Sequence, residues 1–168
     1  MTPEDLFKPD DESNLIFRYK LGHIYISEKY HQILFVPLGG IVEEGIRREL
    51  PDIIADKWPC DFGNLQINIE EMLNRFKPLN IEPGFTWPAY EASLAKTRKS
   101  FEQDYLMLRL ESDSKNPYGE GEAERINVRA QASRLETSYY LIGQEQLIDT
   151  ELAQVVIDIF NACMKIRS

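Results

Sequence analysis

The sequence predicts an α+β fold: antiparallel strands in two three-stranded meanders, forming one or two sheets, with helices packed against them. Three observations lead there. Short runs of β-branched and aromatic residues fall in two groups of three. Stretches with apolar residues at three- and four-residue intervals follow each group. The last stretch, "LAQVVIDIFNACM", is apolar enough to be buried deep against a sheet.

In chain order, "NLIFRYK" (14–20), "HIYIS" (23–27) and "QILFVPL" (32–38) read as the first meander, with Gly22 and the polar "EKYH" as its turns. Gly39 and Gly40 are expected to stop the third strand. From Ile41 the spacing of Val42, Ile46 and Leu50 predicts a helix, and Pro51 either breaks it or opens a second short one through Trp58. "NLQINIEEMLNRF" (64–76) predicts a stronger helix. Leu65, Ile69, Met72, Leu73 and Phe76 make its stripe, Asn64 its N-cap, and Lys77-Pro78 its end. The connector "KPLNIEPGFTWP" (77–88) follows. Thr86 then caps a helix beginning at Trp87, with Tyr90, Leu94, Thr97 and Phe101 inward and Lys96, Arg98 and Lys99 toward its C-terminal end.

The second meander has the clearest alternation. Leu106, Leu108 and Leu110 alternate with Tyr105, Met107 and Arg109; Ile126, Val128, Ala130 and Ala132 alternate with Arg125, Asn127, Arg129 and Gln131. "TSYYLIG" (137–143) is its third strand. Asp149 caps a final helix to about Ile166, whose buried stripe is Leu152, Val155, Val156, Ile159, Phe160 and Cys163. A length of 168 residues predicts one domain spanning residues 1–168, with 77–88 as the candidate internal boundary.

Composition narrows the function classes. At 43% apolar and 28% charged, the chain reads as an ordinary soluble globular protein. No apolar run approaches the roughly 20 residues that span a bilayer. The leader "MTPEDLFKPDDES" has acids where an export signal needs bases. Cys60 and Cys163 lack metal-ligand spacing and read as reduced thiols, so a cytoplasmic location is expected. With 28 acids against 19 bases, the net charge of −9 argues against direct nucleic-acid or anionic-membrane binding and suits a basic partner.

No motif announces chemistry. Phosphate loops, HExxH, GxSxG and paired CxxC are missing from the sequence. "PLGGI" (37–41) lacks the lysine and spacing of a phosphate site and reads as a strand-to-helix turn. His23 and His31 flank one strand and could approach across a turn, though each reads first as a surface or turn residue. Cys60 has no nearby base to activate it, and Cys163 lies on a core stripe. Glu43–Glu44 and Glu70–Glu71 read as solvated helix faces. No catalytic, cofactor-binding or metal-binding residue is nominated.

The stretch 111–124 carries Glu111, Asp113, Glu120, Glu122 and Glu124 against Lys115, with Asn116-Pro117, Gly119 and Gly121 marking a long connection. Its acids do not follow the EF-hand order. Arg125, Asn127, Arg129 and Gln131 share the next strand face, and Arg109 can join them from the neighbouring strand. The plain reading is a wet sheet face with an acidic tip. The functional reading is a protein-docking surface of Asp113, Glu120, Glu122, Glu124, Arg125, Asn127 and Arg129, the acids steering a basic partner and the arginines anchoring it.

The ending "SYYLIGQEQLIDTELAQVVIDIFNACM", with the size and acidity of the chain, resembles immunity proteins of bacterial contact-dependent growth inhibition systems. The resemblance implies a non-enzymatic inhibitor that binds a cognate toxin protein in the cytoplasm and covers its active site. It also implies a partner such as a nuclease, whose basic groove an acidic inhibitor would fill. The family implies no shared catalytic residue, and it diverges at the binding surface. Two other classes stand beside it: a small hydrolase using carboxylates or the His23/His31 pair, and an adaptor that dimerises through the arginine-bearing face.

Overall fold

The computed structural model describes residues 21–41, 46–79, 86–112, 125–135, 138–147 and 152–167. The predicted strand 14–20, the Glu43–Glu44 pair, the acidic residues Asp113, Glu120, Glu122 and Glu124, and the predicted cap Asp149 lie outside them. The architecture is α+β, as expected. The strands β1 (Leu21–Ser27), β2 (Gln32–Ile41), β3 (Ile46–Glu49), β4 (Ile54–Lys57), β5 (Lys77–Pro78), β6 (Leu106–Ser112), β7 (Arg125–Leu135) and β8 (Ser138–Leu147) join in one sheet. Its main path runs β3-β2-β1-β6-β7-β8, and β4 and β5 also pair with β2. All pairings are antiparallel except β2 with β5. The strands of both meanders therefore meet in a single sheet, at the β1–β6 pairing.

The helices are α1 (Phe62–Asn74), α2 (Pro88–Ala92), α3 (Arg98–Asp104) and α4 (Leu152–Arg167). None of the described helices is long and apolar enough to cross a membrane. The main core lies between one sheet face and α1 with α4. Ile24, Ile26, Ile33, Phe35, Leu108, Leu110, Ile126 and Val128 meet Leu65, Ile69 and Met72 of α1 and Val156, Ile159 and Phe160 of α4. The α4 stripe is buried as its spacing predicts, Cys163 included. A polar tie joins the two helices: Ala153 N–H, in the first turn of α4, donates to Gln66 Oε1 at 2.8 Å. On the opposite face, Tyr25, Leu34 and Val36 pack with Ala89 of α2, Phe101 of α3 and Tyr105 in a smaller cluster.

Several expectations are corrected. Gly22 lies inside β1 rather than at a turn, and a Cβ there would come within 2.4 Å of Met72 Cε, so the glycine lets α1 settle on the strand. Gly39 and Gly40 do not end β2. They pair with β3 on one edge and with β5 on the other. A Cβ at Gly40 would sit 2.5 Å from the carbonyl oxygen of Ile46, a close backbone approach that glycine permits. The helix predicted from Ile41 to Leu50, and its short successor through Trp58, are replaced over the described residues by β3 and β4. The reason is hydrogen bonding. All ten residues of β2 are buried, and its outer edge needs backbone partners, which residues 46–49 and 54–57 supply. Tertiary pairing thus overrides the helical propensity of "IRREL".

α1 begins three residues earlier than predicted. Asp61, not Asn64, is its N-cap, and the Asn64 N–H donates to the Asp61 side chain at 3.2 Å. The single helix expected from Trp87 is two short ones. Thr97, expected on an inward face, is the N-cap of α3 in a reciprocal capping arrangement with Ser100, so Arg98 and Lys99 stand at a helix start. Leu94, between them, is exposed. Alternation along β6 and β7 holds until a register shift between Gln131 and Ser133, which takes Ala132 out of the ladder.

Candidate functional site

Strand alternation gives β1 two unlike sides. Ile24 and Ile26 enter the main core, while His23 and Tyr25 face the side carrying α2 and α3. β3 brings Glu49 opposite Leu38 on that same side. The result is a half-buried polar cluster. His23 Nδ1–H donates to Glu49 Oε2 at 2.8 Å, and the Tyr25 hydroxyl donates to the same oxygen. Trp87 borders the same cluster, edge-on to Phe101 with ring centroids 5.2 Å apart. Burial, reinforced by the neighbouring Glu49 charge, holds the Tyr25 hydroxyl neutral far above the ordinary tyrosine range. Glu49 Oε1 is buried and makes no hydrogen bond, as is Nε of Arg109.

This cluster borders a cavity of about 680 Å³. Leu38, Trp87 and Met107 supply apolar wall, and His23, Glu49, Arg47 and Arg109 supply polar wall. Arg47 Nη2 lies 2.8 Å from Glu111 Oε1, and Arg109 Nε lies 3.7 Å from Glu111 Oε2, so one acid serves two guanidinium groups.

Beyond the cavity the same face continues as an arginine row. His23 is paired with Arg109, Arg109 with Arg129, and Arg129 with Gly143. Arg129 is exposed and Asn127 half-buried, while Ile126, Val128 and Ala130 face the core. The expected meeting of Arg109 with Asn127 and Arg129 on one wet face therefore occurs, with Asn127 opposite Glu111. Arg125 opens β7 opposite Leu147, and of this residue the backbone alone is described.

The histidine pair expected as a candidate is not brought together. His23 lies in β1 opposite Val36, whereas His31 ends the turn beyond the other end of that strand, with a φ of 52°. His31 lies five residues before Val36, the partner of His23, so at about 3.4 Å per residue the two are separated by roughly 17 Å along the strand. What sequence reasoning missed is Glu49, the actual partner of His23. It lies 26 positions away in a segment read as helix. Cys60 is half-exposed, and burial, with Asp56 and Asp61 adding to it, pushes its thiol up, away from a reactive thiolate. Among the described residues no three His, Cys, Asp or Glu side chains gather as a metal site.

No family model matches the chain, and no curated protein matches it. Solved structures do share its fold. It is similar to a protein of unknown function, NMB0488, from Neisseria meningitidis, at 9% identity and a TM-score of 0.58, over 90% of this chain and 96% of that one. It is also similar to a chain of the CdiA-CT/CdiI toxin and immunity complex from Yersinia pseudotuberculosis, at 7% identity and a TM-score of 0.53, over 90% of this chain and 98% of that one. At these identities the likeness is one of fold.

Proposed function

We propose that this chain is a non-enzymatic inhibitor that neutralises a cognate toxin protein by covering its active site. The observation that carries the reading is the fold shared, over 90% of this chain, with a chain of a toxin and immunity complex. Two properties of the chain support it. Its net charge of −9 favours encounter with a basic partner. Its open sheet face presents Arg109, Asn127 and Arg129 in register, the kind of side chains that anchor interfaces.

The docking surface in this reading is that face together with Arg125 and the acidic residues Asp113, Glu120, Glu122 and Glu124. The acids steer association, and the arginines hold the complex once formed. A basic nuclease is the partner such a charge distribution suits best, and the complex forms in the cytoplasm of the producing cell.

The decisive experiment is co-expression with the toxin domain encoded beside this chain. Protection of growth and co-purification of a stable complex are expected. Neither protection nor a complex would overturn the proposal. Reversing charge at Glu120, Glu122 and Glu124 should slow association at low salt more than it speeds dissociation. An unchanged association rate would remove the acidic segment from the docking surface.

A further inference from the structure

We propose that the cavity beside His23 binds a small organic carboxylate, held by the guanidinium groups of Arg47 and Arg109, with its apolar body against Leu38, Trp87 and Met107. The inference goes beyond the inhibitor reading and does not depend on it. The wall carries Arg47, Arg48 and Arg109 against the acids Glu49 and Glu102. What an occupant meets depends on which of these groups are open. Glu49 is withdrawn: its Oε1 is closed to solvent, and its Oε2 accepts from His23 and Tyr25. Arg48 and Glu102 are each already partnered. Arg47 and Arg109 are the reverse case. Their side chains are 34% and 39% exposed, and one acid, Glu111, serves both, at 2.8 Å and 3.7 Å. The Nε of Arg109 is buried, which leaves its two Nη groups as the donors an occupant can use. Two guanidiniums against one carboxylate leave one positive charge in surplus, which suits a monoanion better than a phosphate dianion.

Size and lining point to a free molecule. The cavity of about 680 Å³ lies within the roughly 300–1,000 Å³ typical of small-molecule sites. A lone acidic side chain of a protein partner would leave most of it empty. Leu38, Met107 and the half-buried Trp87 ring offer apolar surface for a flat or branched body, and the guanidinium groups fix its charged end. The net charge of −9 opposes an anion at long range. Salt screens that field beyond about 8 Å at physiological ionic strength, so inside the cavity the nearby arginines decide.

The test titrates the full chain with benzoate and follows the indole N–H resonances of its two tryptophans. Trp87, on the wall, should shift saturably, and Trp58, packed against Phe160 on the helix side, should not. Benzamide has the shape without the charge, and acetate the charge without the ring; each should bind about tenfold more weakly or worse. Arg109→Gln and Arg47→Gln, at part-exposed positions, should each lower benzoate affinity about tenfold. Arg75→Gln removes the same charge at the end of α1 and should leave the affinity unchanged. Met107→Trp fills the cavity with both arginines in place; it should abolish binding and serves if an arginine variant does not fold. No saturable Trp87 shift in the unaltered chain, equal affinity for benzamide, or equal losses in Arg75→Gln and Arg109→Gln would overturn the proposal. So would tighter binding of inorganic phosphate, which would assign the site to another anion, or acetate binding as well as benzoate, which would assign it to a partner's acidic side chain. Failure of co-expression to protect would sink the inhibitor reading and leave this titration unchanged.

Discussion

Ile24 and Tyr25 are neighbours in β1 and meet opposite surroundings. Ile24 packs among the side chains of the sheet, α1 and α4, in a core whose members are almost all aliphatic or aromatic. Tyr25 touches Phe101 on one side, with ring centroids 5.2 Å apart, and on the other donates to a carboxylate that borders an open cavity. The first face derives its stability from buried area, which is non-directional and tolerates few voids. The second combines a small aromatic cluster with a polar network that is incompletely satisfied. A sheet sealed on one side can leave groups unpartnered on the other, which is where a docking surface can be built at tolerable cost.

The largest expected effect lies on the sealed face. Phe160 is buried and packs edge-on against Trp58, with centroids 5.2 Å apart. Phe160→Ala should cost about 3–5 kcal/mol, read as a lower urea midpoint. A loss under about 1 kcal/mol would mean that α4 is not the seal described. Next is the joint between the faces. Gly40→Ala places a Cβ against the Ile46 carbonyl and should cost about 1–3 kcal/mol, with loss of hydrogen-exchange protection in β3 ahead of β6.

Smaller effects sharpen the polar side. Tyr25→Phe removes a hydroxyl donor from Glu49 and should cost about 1–2 kcal/mol at neutral pH. Its signature is alkaline. Unfolded tyrosine ionises near a pH of about 10, while folded Tyr25 stays neutral well above that. Between those limits only the unfolded chain releases this proton, so its contribution is intact below about pH 10 and falls by up to about 1.4 kcal/mol per unit above it. In Tyr25→Phe that part of the alkaline slope should vanish, and an unchanged slope would contradict the burial of the hydroxyl. The smallest effect on stability belongs to exposed Arg129, where Arg129→Ala should stay within about 0.5 kcal/mol by denaturation while weakening the toxin complex.

The sealed face was legible residue by residue. Leu106, Leu108 and Leu110, the Ile126–Val128–Ala130 alternation, the stripe of α4 and the stripe of α1 from Leu65 to Leu73 appear where their periods place them, while Phe76 falls past the end of α1 and is only half-buried. The arginine row was legible in part, since a period of two puts Asn127 and Arg129 on one side of β7 whatever lies opposite. Arg109 was expected beside them, but its pairing with His23 across the two meanders was not, because strand order is a long-range property. The cavity was illegible. Glu49, one of its two lining acids, belongs to a segment whose four-residue spacing fits a helix, and only the pairing edge of β2 makes that segment a strand.

The sequence by itself determined the α+β class, the composition of the core and the acidic field, because periodicity and charge are local sums over residues. Tertiary structure alone decided that 46–49 and 54–57 pair as strands, that His23 and Tyr25, 26 and 24 positions from Glu49, converge on one of its carboxylate oxygens, and that its other oxygen stays unmet. The physical reason is that backbone hydrogen-bond demand is settled between strands distant in the chain, and that settlement places the side chains.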